Sequence, residues 1–507
     1  MTAGLPCRPA GIAGNDLSLL LNPHWRPERP WSHRQDRLLP AAACRRAGDE
    51  IPCWPGYTPT PLVGLPALAR ALGVSRLYCK DEAARFGVGS FKALGAPFAL
   101  AVLLAGRLSR RLGRRVTAAE VIAGSLRESC ATVTVAAATD GNHGRALAWA
   151  ASRAGCAAVI YVPKQISTAR VAAIATLGAR VERVDGCYDA AVHCCAADCR
   201  RAGWLEITDT AASTRPGAPG LASTRLVMAG YAVLVDEALE ALAEAPTHLF
   251  AQAGVGGFAA VAAARLWQRL GSPRIRTVVV EPERAACLYA SALAGAPSAA
   301  TGDLATLMAG LACGEPSVLA WHLLDEAAAG FLVVPDRAAV AAMRLLAGPH
   351  GDDPALVAGE SGAAGLAGLL AVAAEPAARR ALELSSASRV LVVATEGATD
   401  PALYYDLVGN CPGVTAHLMS ANRLPTGNSS PSRVDRQGNR ISNLSQHTGE
   451  EAVAPGGPPE LFWQRALGAF AAHQVECHVA QDGEVLRAIV QAVSRPVFVH
   501  GDVQAPV

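Results

Sequence analysis

Short apolar runs alternate with longer amphipathic stretches through most of the chain. Short apolar runs, several of them rich in β-branched residues, predict strands over 76–80, 133–137, 157–162, 181–184, 248–251, 277–281, 331–334 and 390–394. The stretches between them carry apolar residues at helical spacing and predict helices, among them 93–115, 144–154 and 258–270. Strands that alternate with helices favour an α/β fold, with a parallel sheet covered by helices on both faces. In such sheets ligands bind at the carboxyl ends of strands, so we expect the chemistry just after them.

The two ends of the chain lack this pattern. Residues 1–50 are rich in Pro and Arg with little periodicity, and predict an arm that is either loose or packed on a partner subunit. Residues 409–459 are predicted to be a linker, because residues 425–459 are rich in Ser, Asn, Gly and Pro. Residues 460–507 show two amphipathic stretches, typical of either a small accessory module or a segment without a stable fold. The catalytic region is therefore expected within 51–408.

Composition narrows the function classes. The 507 residues are 51% hydrophobic and 17% charged, enough for a large core in two to four domains. The net charge of +2 gives no support for a nucleic-acid partner. The sequence has no apolar run of 18 residues and no signal-peptide pattern at its start, which predicts a cytoplasmic protein without a membrane span. The 14 scattered cysteines predict buried or free thiols and no metal site.

One lysine stands at an unusual place. A glycine-rich bend over 84–90 leads into Lys92, which opens the apolar helix. The helix dipole favours anions at that end, so a lysine there needs another reason. Either it is a solvated side chain on an amphipathic helix, or its amine carries a covalent cofactor such as pyridoxal phosphate.

Three further motifs follow predicted strands. Thr139–Gly144 places Asp140, Asn142 and His143 at one strand end, and residues 395–400 place hydroxyls and carboxylates at another. Residues 252–258 form a glycine-rich turn that opens a helix, where free backbone N–H groups suit a phosphate. Each motif alone is equally typical of a polar turn. Together with the lysine they indicate a pyridoxal-phosphate site.

On these motifs the chain resembles the fold-type II pyridoxal-phosphate enzymes (the tryptophan synthase beta-like group), and within them the diaminopropionate ammonia-lyase family. The resemblance covers roughly residues 50–408, and its most specific block is residues 308–316, Met-Ala-Gly-Leu-Ala-Cys-Gly-Glu-Pro. It implies two α/β domains with the cofactor in the cleft between them. The smaller would comprise residues 93–210, and the larger the flanking segments of the catalytic region. Family members are commonly dimers, so a homodimer is expected.

The resemblance also implies roles for individual residues. Lys92 would be the Schiff-base lysine and the base for the L-isomer of 2,3-diaminopropionate, Asp140 the base for the D-isomer, and Asp209 a carboxylate near the substrate. Asn142 would bond the cofactor's ring hydroxyl, and Thr395 would face the pyridine nitrogen. The phosphate cradle would consist of Gly254, Val255, Gly256 and Gly257.

The chain departs from the family beside the expected substrate site. Residues 211–220 replace an aromatic and acidic stretch of the family, and Ala398 stands where the family usually has Asp. The favoured hypothesis is elimination from 2,3-diaminopropionate to give pyruvate and two ammonia. The alternatives are a related β-eliminating or β-replacing enzyme acting on serine or threonine, and a cofactor-binding protein without turnover.

Overall fold

The computed structural model describes residues 11–14, 17–272, 274–348 and 350–409. Its strands are β1 Gly11–Gly14, β2 Leu17–Leu21, β3 Leu62–Gly64, β4 Arg76–Asp81, β5 Thr134–Ala138, β6 Ala157–Pro163, β7 Arg180–Val184, β8 Leu205–Glu206, β9 His248–Gln252, β10 Arg276–Pro282, β11 Ala328–Val334 and β12 Arg389–Ala394. The predicted linker from residue 410 onwards and the accessory segment lie outside the described residues.

Helices separate most of these strands. They are α1 His33–Leu38, α2 Ala41–Glu50, α3 Pro66–Ala71, α4 Lys92–Leu112, α5 Ala118–Ile122, α6 Arg127–Cys130, α7 Asn142–Ala154, α8 Thr168–Ala175, α9 Tyr188–Ala202, α10 Leu221–Ala241, α11 Gly257–Leu270, α12 Cys287–Ala294, α13 Val318–Ala327, α14 Asp336–Ala347, α15 Ala364–Ala374, α16 Pro376–Ala381 and α17 Pro401–Val408. The predicted strands and helices are present, with ends that differ by a few residues.

The strands form two sheets. The larger has eight strands in the order β1-β2-β11-β10-β9-β12-β4-β3, and the smaller has four in the order β7-β6-β5-β8. The smaller sheet is parallel throughout, and so are the central pairs of the larger one. The smaller sheet falls within residues 134–206, inside the segment predicted for the smaller domain.

Helices cover both faces of the larger sheet. In β12, Val390 and Val392 belong to one apolar cluster, while Leu391 and Val393 belong to the other. A strand buried on both faces has no polar side to display, which explains its nearly continuous apolar sequence. The central strands are thereby fixed on both sides, and their carboxyl ends hold a constant geometry.

Part of the N-terminal segment, for which the sequence left a loose arm and packing on a partner subunit open, is built into the larger sheet. Strand β2 pairs antiparallel with β11, with Leu19 opposite Leu332. The side chain of Leu19 is fully buried in this pairing. Local periodicity does not reveal such a pairing, because a five-residue strand gains its stability from a partner about 300 residues away.

Helix α4 is held at its start by close helix packing. A Cβ atom at Gly230 of α10 would overlap the carbonyl oxygen of Leu94, and one at Gly95 would overlap the ring of Tyr231. The two glycines thus let the helices approach within backbone contact. Helix α4 is also long and apolar enough to cross a membrane, but 67% of its most apolar window is buried inside the fold.

Candidate active site

The residues predicted to carry chemistry converge on one cavity. The carboxyl ends of β5, β8, β9 and β12 and the start of α4 meet there. Its lining includes every predicted site residue, namely Lys92, Asp140, Asn142, Asp209, Gly254, Val255, Gly256, Gly257 and Thr395. The residues that strand ends and glycine turns singled out therefore lie together in the structure.

The position of Lys92 is set by the bend before it. The backbone N–H of Phe91 donates to the carbonyl oxygen of Thr395 at 3.0 Å, and the N–H of Gly397 donates to the carbonyl oxygen of Gly89 at 3.1 Å. The bend is thus tied to the loop after β12. Gly89 has a φ of 92°, a conformation that side-chain-bearing residues rarely adopt. These contacts bring the amine of Lys92 and the hydroxyl of Thr395 into the same cavity.

Three groups surround the Lys92 ammonium. Its Nζ lies 2.5 Å from Oδ2 of Asp209, and 5.3 Å and 5.6 Å from the ring centroids of Phe91 and Tyr231. Burial alone lowers the pKa of Lys92, but the Asp209 carboxylate outweighs it, so the net pKa is raised. The Lys92 ammonium and the Asp209 carboxylate therefore face each other as a charged pair.

Asp209 is the hub of the polar contacts. Besides Lys92, its Oδ1 accepts a hydrogen bond from the Tyr188 hydroxyl at 3.1 Å, and its Oδ2 lies 3.7 Å from Nδ1 of His143. Burial by itself raises the pKa of Asp209, yet these three neighbours lower it well below its usual range. Asp209 is therefore ionised at neutral pH.

His143 is held in one tautomer. Its Nε2 lies 2.7 Å from the carbonyl oxygen of Ile207, which only accepts, so Nε2 carries the proton. Burial lowers the pKa of His143, which keeps the ring neutral. Its Nδ1 has no hydrogen-bond partner among the described residues and turns its lone pair toward the carboxylate of Asp209.

Asp140 has the opposite character to Asp209. Burial raises its pKa well above the usual range, and the carboxylates of Asp209 and Asp189 add to the effect, while Arg170 and Lys92 oppose it. A carboxylate with a raised pKa is a stronger base than an ordinary aspartate. Two carboxylates whose environments push their pKa values apart are typical of divided acid–base roles.

The turn between β9 and α11 is shaped for a phosphate. Gly256 has a φ of 96°, and a Cβ there would lie 3.0 Å from Cδ1 of Leu288. A Cβ at Gly254 would lie 2.9 Å from Sγ of Cys313. The glycines let the backbone N–H groups at the start of the 14-residue helix α11 reach the cavity, at the positive end of its dipole.

Two side chains are oriented as donors. The hydroxyl oxygen of Thr395 accepts a hydrogen bond from Nε2 of Gln252 at 2.9 Å, so its proton is left for another acceptor. One amide hydrogen of Asn142 donates to the Glu396 carboxylate, which leaves the second hydrogen available. A basic ring nitrogen beside Thr395 and a phenolic oxygen beside Asn142 would fit these donors.

Comparison with known proteins identifies the family. Residues 53–396 match the family described as pyridoxal-phosphate dependent enzyme. The diaminopropionate ammonia-lyase of Escherichia coli (strain K12) is 40% identical over 359 residues, which are 70% of this chain and 88% of that protein. This chain belongs to the pyridoxal-phosphate-dependent enzymes. A second relative, the diaminopropionate ammonia-lyase of Salmonella typhimurium (strain LT2), is 38% identical over 368 residues, 70% of this chain and 89% of that protein.

Solved structures of the same family confirm the predicted fold-type II architecture. Diaminopropionate ammonia-lyase from Escherichia coli, in complex with an aminoacrylate–PLP azomethine reaction intermediate, superposes with a TM-score of 0.68 at 35% identity, covering 78% of this chain and 98% of that one. Threonine deaminase isoform 2 from Solanum lycopersicum shares the fold at 20% identity and a TM-score of 0.58, covering 80% of this chain and 100% of that one. Pyridoxal 5'-phosphate is the cofactor of this pyridoxal-phosphate-dependent enzyme.

The residues of this enzyme's cavity fit that cofactor. A lysine amine, a glycine-lined helix start and a hydroxyl donor share one enclosure, which matches the aldehyde, the phosphate and the ring nitrogen. The second hydrogen of Asn142 suits the ring hydroxyl. The fit rests on the orientation of this chain's own donors and on its backbone turns.

Other lining residues were not assigned roles from the sequence. They are Phe91, Thr139, Gly141, His143, Tyr188, Tyr231, Gln252, Ala253, Phe258, Gly310, Leu311 and Cys313. The strand-end rule could have found Gln252, which closes β9, and Tyr188, which opens the helix after β7. Tyr231 lies in the middle of α10, where an apolar pattern gives no sign that its ring faces a ligand.

Proposed function

We propose that this enzyme is an ammonia-lyase that converts 2,3-diaminopropionate and water into pyruvate and two ammonia. The observation that carries the proposal is the Lys92–Asp209 pair beside the helix start of α11, with Asp140 on a separate loop of the same cavity. The relatives at 38% and 40% identity, which bear the name of this activity, support it.

Each part of the cofactor has a group of this chain to hold it. The backbone N–H groups at Gly254–Gly257 would bind the phosphate, the Thr395 hydroxyl would donate to the ring nitrogen, and Asn142 would donate to the ring hydroxyl. When bound, the cofactor supplies the electron sink that makes the Cα–H bond of an amino acid acidic. A neutral donor at the ring nitrogen makes this sink milder than a carboxylate would, which favours elimination over transamination.

Proton movements fall to the charged groups of the cavity. The Lys92 amine takes the Cα proton of the L-isomer, and Asp140 takes that of the D-isomer. The Asp209 carboxylate, ionised at neutral pH, attracts the distal ammonium of the substrate and orients it before it leaves as ammonia. His143, whose pKa is lowered by burial, lies beside Asp209 as a neutral ring and so leaves the charge of that carboxylate for the substrate.

The altered loop does not remove these contacts. Residues 211–220 are absent from the cavity lining in the described part of the chain. The loop is fastened elsewhere, since the N–H of Ala211 donates to the hydroxyl of Ser317 at 3.2 Å and the N–H of Val318 donates to the carbonyl oxygen of Ala211 at 2.8 Å. The substrate-facing side chains are therefore those of the cavity itself, including Asp140 and Asp209.

We propose in addition that the enzyme works in the cytoplasm as a homodimer, with a small amino acid as its partner and neither nucleic acid nor membrane. The net charge of +2 supports the absence of a polyanionic partner. The burial of α4 within the fold supports its role as a core helix. The dimer is proposed from the family alone.

The test is a product balance with the purified holoenzyme. Both isomers of diaminopropionate, serine and threonine are supplied separately, and pyruvate or other keto acid and ammonia are measured. We expect two ammonia per pyruvate from diaminopropionate. Turnover of serine or threonine alone would instead indicate a hydroxy-amino-acid dehydratase, and no turnover of any amino acid would indicate cofactor binding without catalysis.

The absorbance spectrum of the holoenzyme tests, independently of activity, whether Lys92 is the residue that binds the cofactor covalently. Lysine-bound pyridoxal phosphate absorbs near roughly 410–420 nm. We expect this band in the wild-type enzyme and its loss in Lys92→Ala. A Lys92→Ala variant that retains the band would refute the assignment of Lys92.

A further inference from the structure

Arg170 on α8 is a buried cation beneath the loop that carries Asp140. It is only 8% exposed. A Cβ atom built on Gly141 would lie 3.2 Å from Cδ and 3.8 Å from Nε of Arg170. The side chain of Arg170 therefore packs against the backbone between Asp140 and Asn142.

The guanidinium of Arg170 is anchored from the larger sheet's side. It forms an ion pair with Glu360, which is 3% exposed and lies just before α15. Glu396, the neighbouring carboxylate, accepts a hydrogen bond from Asn142. The two contacts fasten the Asp140 loop to segments on the opposite side of the cavity, and they leave the loop little freedom to move.

Several charges surround these groups. Lys92 and Arg170 favour the ionised form of Asp140, while the carboxylates of Asp209 and Asp189 oppose it. The Tyr188 hydroxyl and the Cys313 thiol face the same cavity. Arg170 itself is faced by Glu360, Glu396 and Asp400. After burial, Arg170 has the largest influence on the pKa of Asp140, and it opposes the rise that burial causes.

We propose that Arg170 is a positioning residue for Asp140, which packs beneath the loop that carries this carboxylate, holds it in place and thereby sets the turnover of the D-isomer. The L-isomer uses Lys92 as its base, so it depends on Arg170 much less. The isomer assignment rests on the proposed function. The effect of Arg170 on Asp140 does not, and it is tested separately.

The first experiment compares pH profiles of kcat/KM for the two isomers in wild type and Arg170→Met. Asp140 must be ionised to take a proton, so activity toward the D-isomer falls on the acid side of its pKa. Removing the cation raises that pKa further and moves the acid limb to higher pH. We expect a shift of about one pH unit and an approximately tenfold lower D-to-L activity ratio at pH 7.

Two matched variants separate charge from structure. Glu360→Gln removes the opposite charge from the same ion pair, so the acid limb for the D-isomer should move to lower pH. Arg201→Met removes a cation that is 77% exposed in the same half of the molecule and should move neither profile. The proposal is wrong if Arg170→Met and Glu360→Gln shift the pH profile for the D-isomer in the same direction. It is also wrong if Arg170→Met lowers kcat/KM for both isomers equally without shifting either profile.

A readout without turnover distinguishes this proposal from the proposed function. In holoenzyme labelled with ¹³Cγ-aspartate, the Asp140 resonance is assigned by its loss in Asp140→Asn and followed with pH. We expect its midpoint to rise by about one unit in Arg170→Met and to fall in Glu360→Gln. An unchanged midpoint in Arg170→Met overturns the proposal even in an active enzyme. A shifted midpoint supports it even if diaminopropionate proves not to be the substrate.

Discussion

At the scale of single residues, the chemistry of the site depends on the ionisation state and the hydrogen-bond role of each group. Asp209 and Asp140 are the same amino acid in one cavity, but Asp209 contacts a lysine ammonium and Asp140 does not. Their pKa values are therefore displaced in opposite directions. The role of Thr395 is likewise set by a neighbour. Gln252 donates a hydrogen bond to the Thr395 hydroxyl oxygen, so the hydroxyl proton remains available to donate to a ligand.

The Thr395 hydroxyl gives a prediction at this scale. Thr395→Val keeps the shape of the side chain and removes the donor, while Gln252 retains its bonds to the carbonyl oxygens of Gly362 and Val393. We expect the cofactor to bind about fivefold more weakly, the equivalent of about 1 kcal/mol for one hydrogen bond, with unchanged thermal stability of the cofactor-free protein. Fluorescence titration of the cofactor measures this. Thr395→Ser should bind like wild type, and equal weakening in both variants would show that the hydroxyl is not the donor.

At the scale of elements, one helix provides two glycines with the same backbone strain and different surroundings. Gly256 precedes α11 with a φ of 96°, and Gly271 follows it with a φ of 78°. A Cβ at Gly256 would lie 3.2 Å from Cβ of Ala320, whereas one at Gly271 would meet nothing within 4 Å. Only the first of the two faces the cavity.

Alanine at each glycine therefore separates strain from ligand binding. Gly271→Ala should lower the free energy of unfolding by about 1–2 kcal/mol, because a left-handed backbone disfavours a side chain. Gly256→Ala should lower it by at least as much, since its Cβ would also crowd Leu288 and Ala320. Only Gly256→Ala should also weaken cofactor binding, by about tenfold or more, since it disturbs the backbone N–H groups that form the phosphate cradle. Urea unfolding and cofactor titration measure the two effects. Equal cofactor affinity in the two variants would exclude the turn before α11 as the phosphate site.

The sequence predicted the elements better than the relations between them. The alternation of strands and helices is a local signal. The rule that ligands lie at strand ends singled out Asn142 and Thr395, and the glycine-rich bend singled out Lys92; all three line one cavity. The placement of β2 required a partner far along the chain, and the role of Tyr231 required the crossing of α4 and α10. The opposite pKa shifts of two aspartates depend on distances of a few ångströms, which no residue pattern contains.

At the scale of the whole molecule, a buried ion network joins the bend before Lys92 to the larger sheet and to α10. The Arg85 guanidinium donates two hydrogen bonds to the Glu237 carboxylate, at 2.8 Å and 2.7 Å, and two to the Glu82 carboxylate, both at 2.8 Å. The Lys80 ammonium donates to Glu237 at 2.5 Å. Thr60 adds a hydroxyl bond to Glu82. Two cations balance two anions, so the network is neutral, and the loss of one member leaves an unpaired charge in the interior.

The ionisation of Glu237 should make the stability of the protein depend on pH. Burial alone would raise its pKa, but Arg85 and Lys80 lower it from 4.5 to about 2. A carboxylate with a depressed folded pKa contributes stability that is present above its unfolded pKa and lost as the pH falls toward the folded one. Between pH 6 and pH 3.5 the wild type should therefore lose about 1–2 kcal/mol of its free energy of unfolding through this group. Glu237→Gln should be about 3–5 kcal/mol less stable than the wild type at pH 6, because it leaves the buried cations Arg85 and Lys80 without this carboxylate. The variant should also lack the part of the acid-induced loss of stability that comes from Glu237.

Urea unfolding of the holoenzyme at pH 6 and pH 3.5 tests this, with the difference between the two pH values as the measured quantity. Glu182→Gln is the matched control, since Glu182 pairs with Arg180 at the surface, where solvent screens the pair, and its removal should leave the acid slope close to that of the wild type. If Glu237→Gln keeps the full wild-type slope, the carboxylate of Glu237 is not held ionised by Arg85 and Lys80. A reduced slope in Glu237→Gln alone would identify the network as the acid-sensitive link between the Lys92 bend and the rest of the fold.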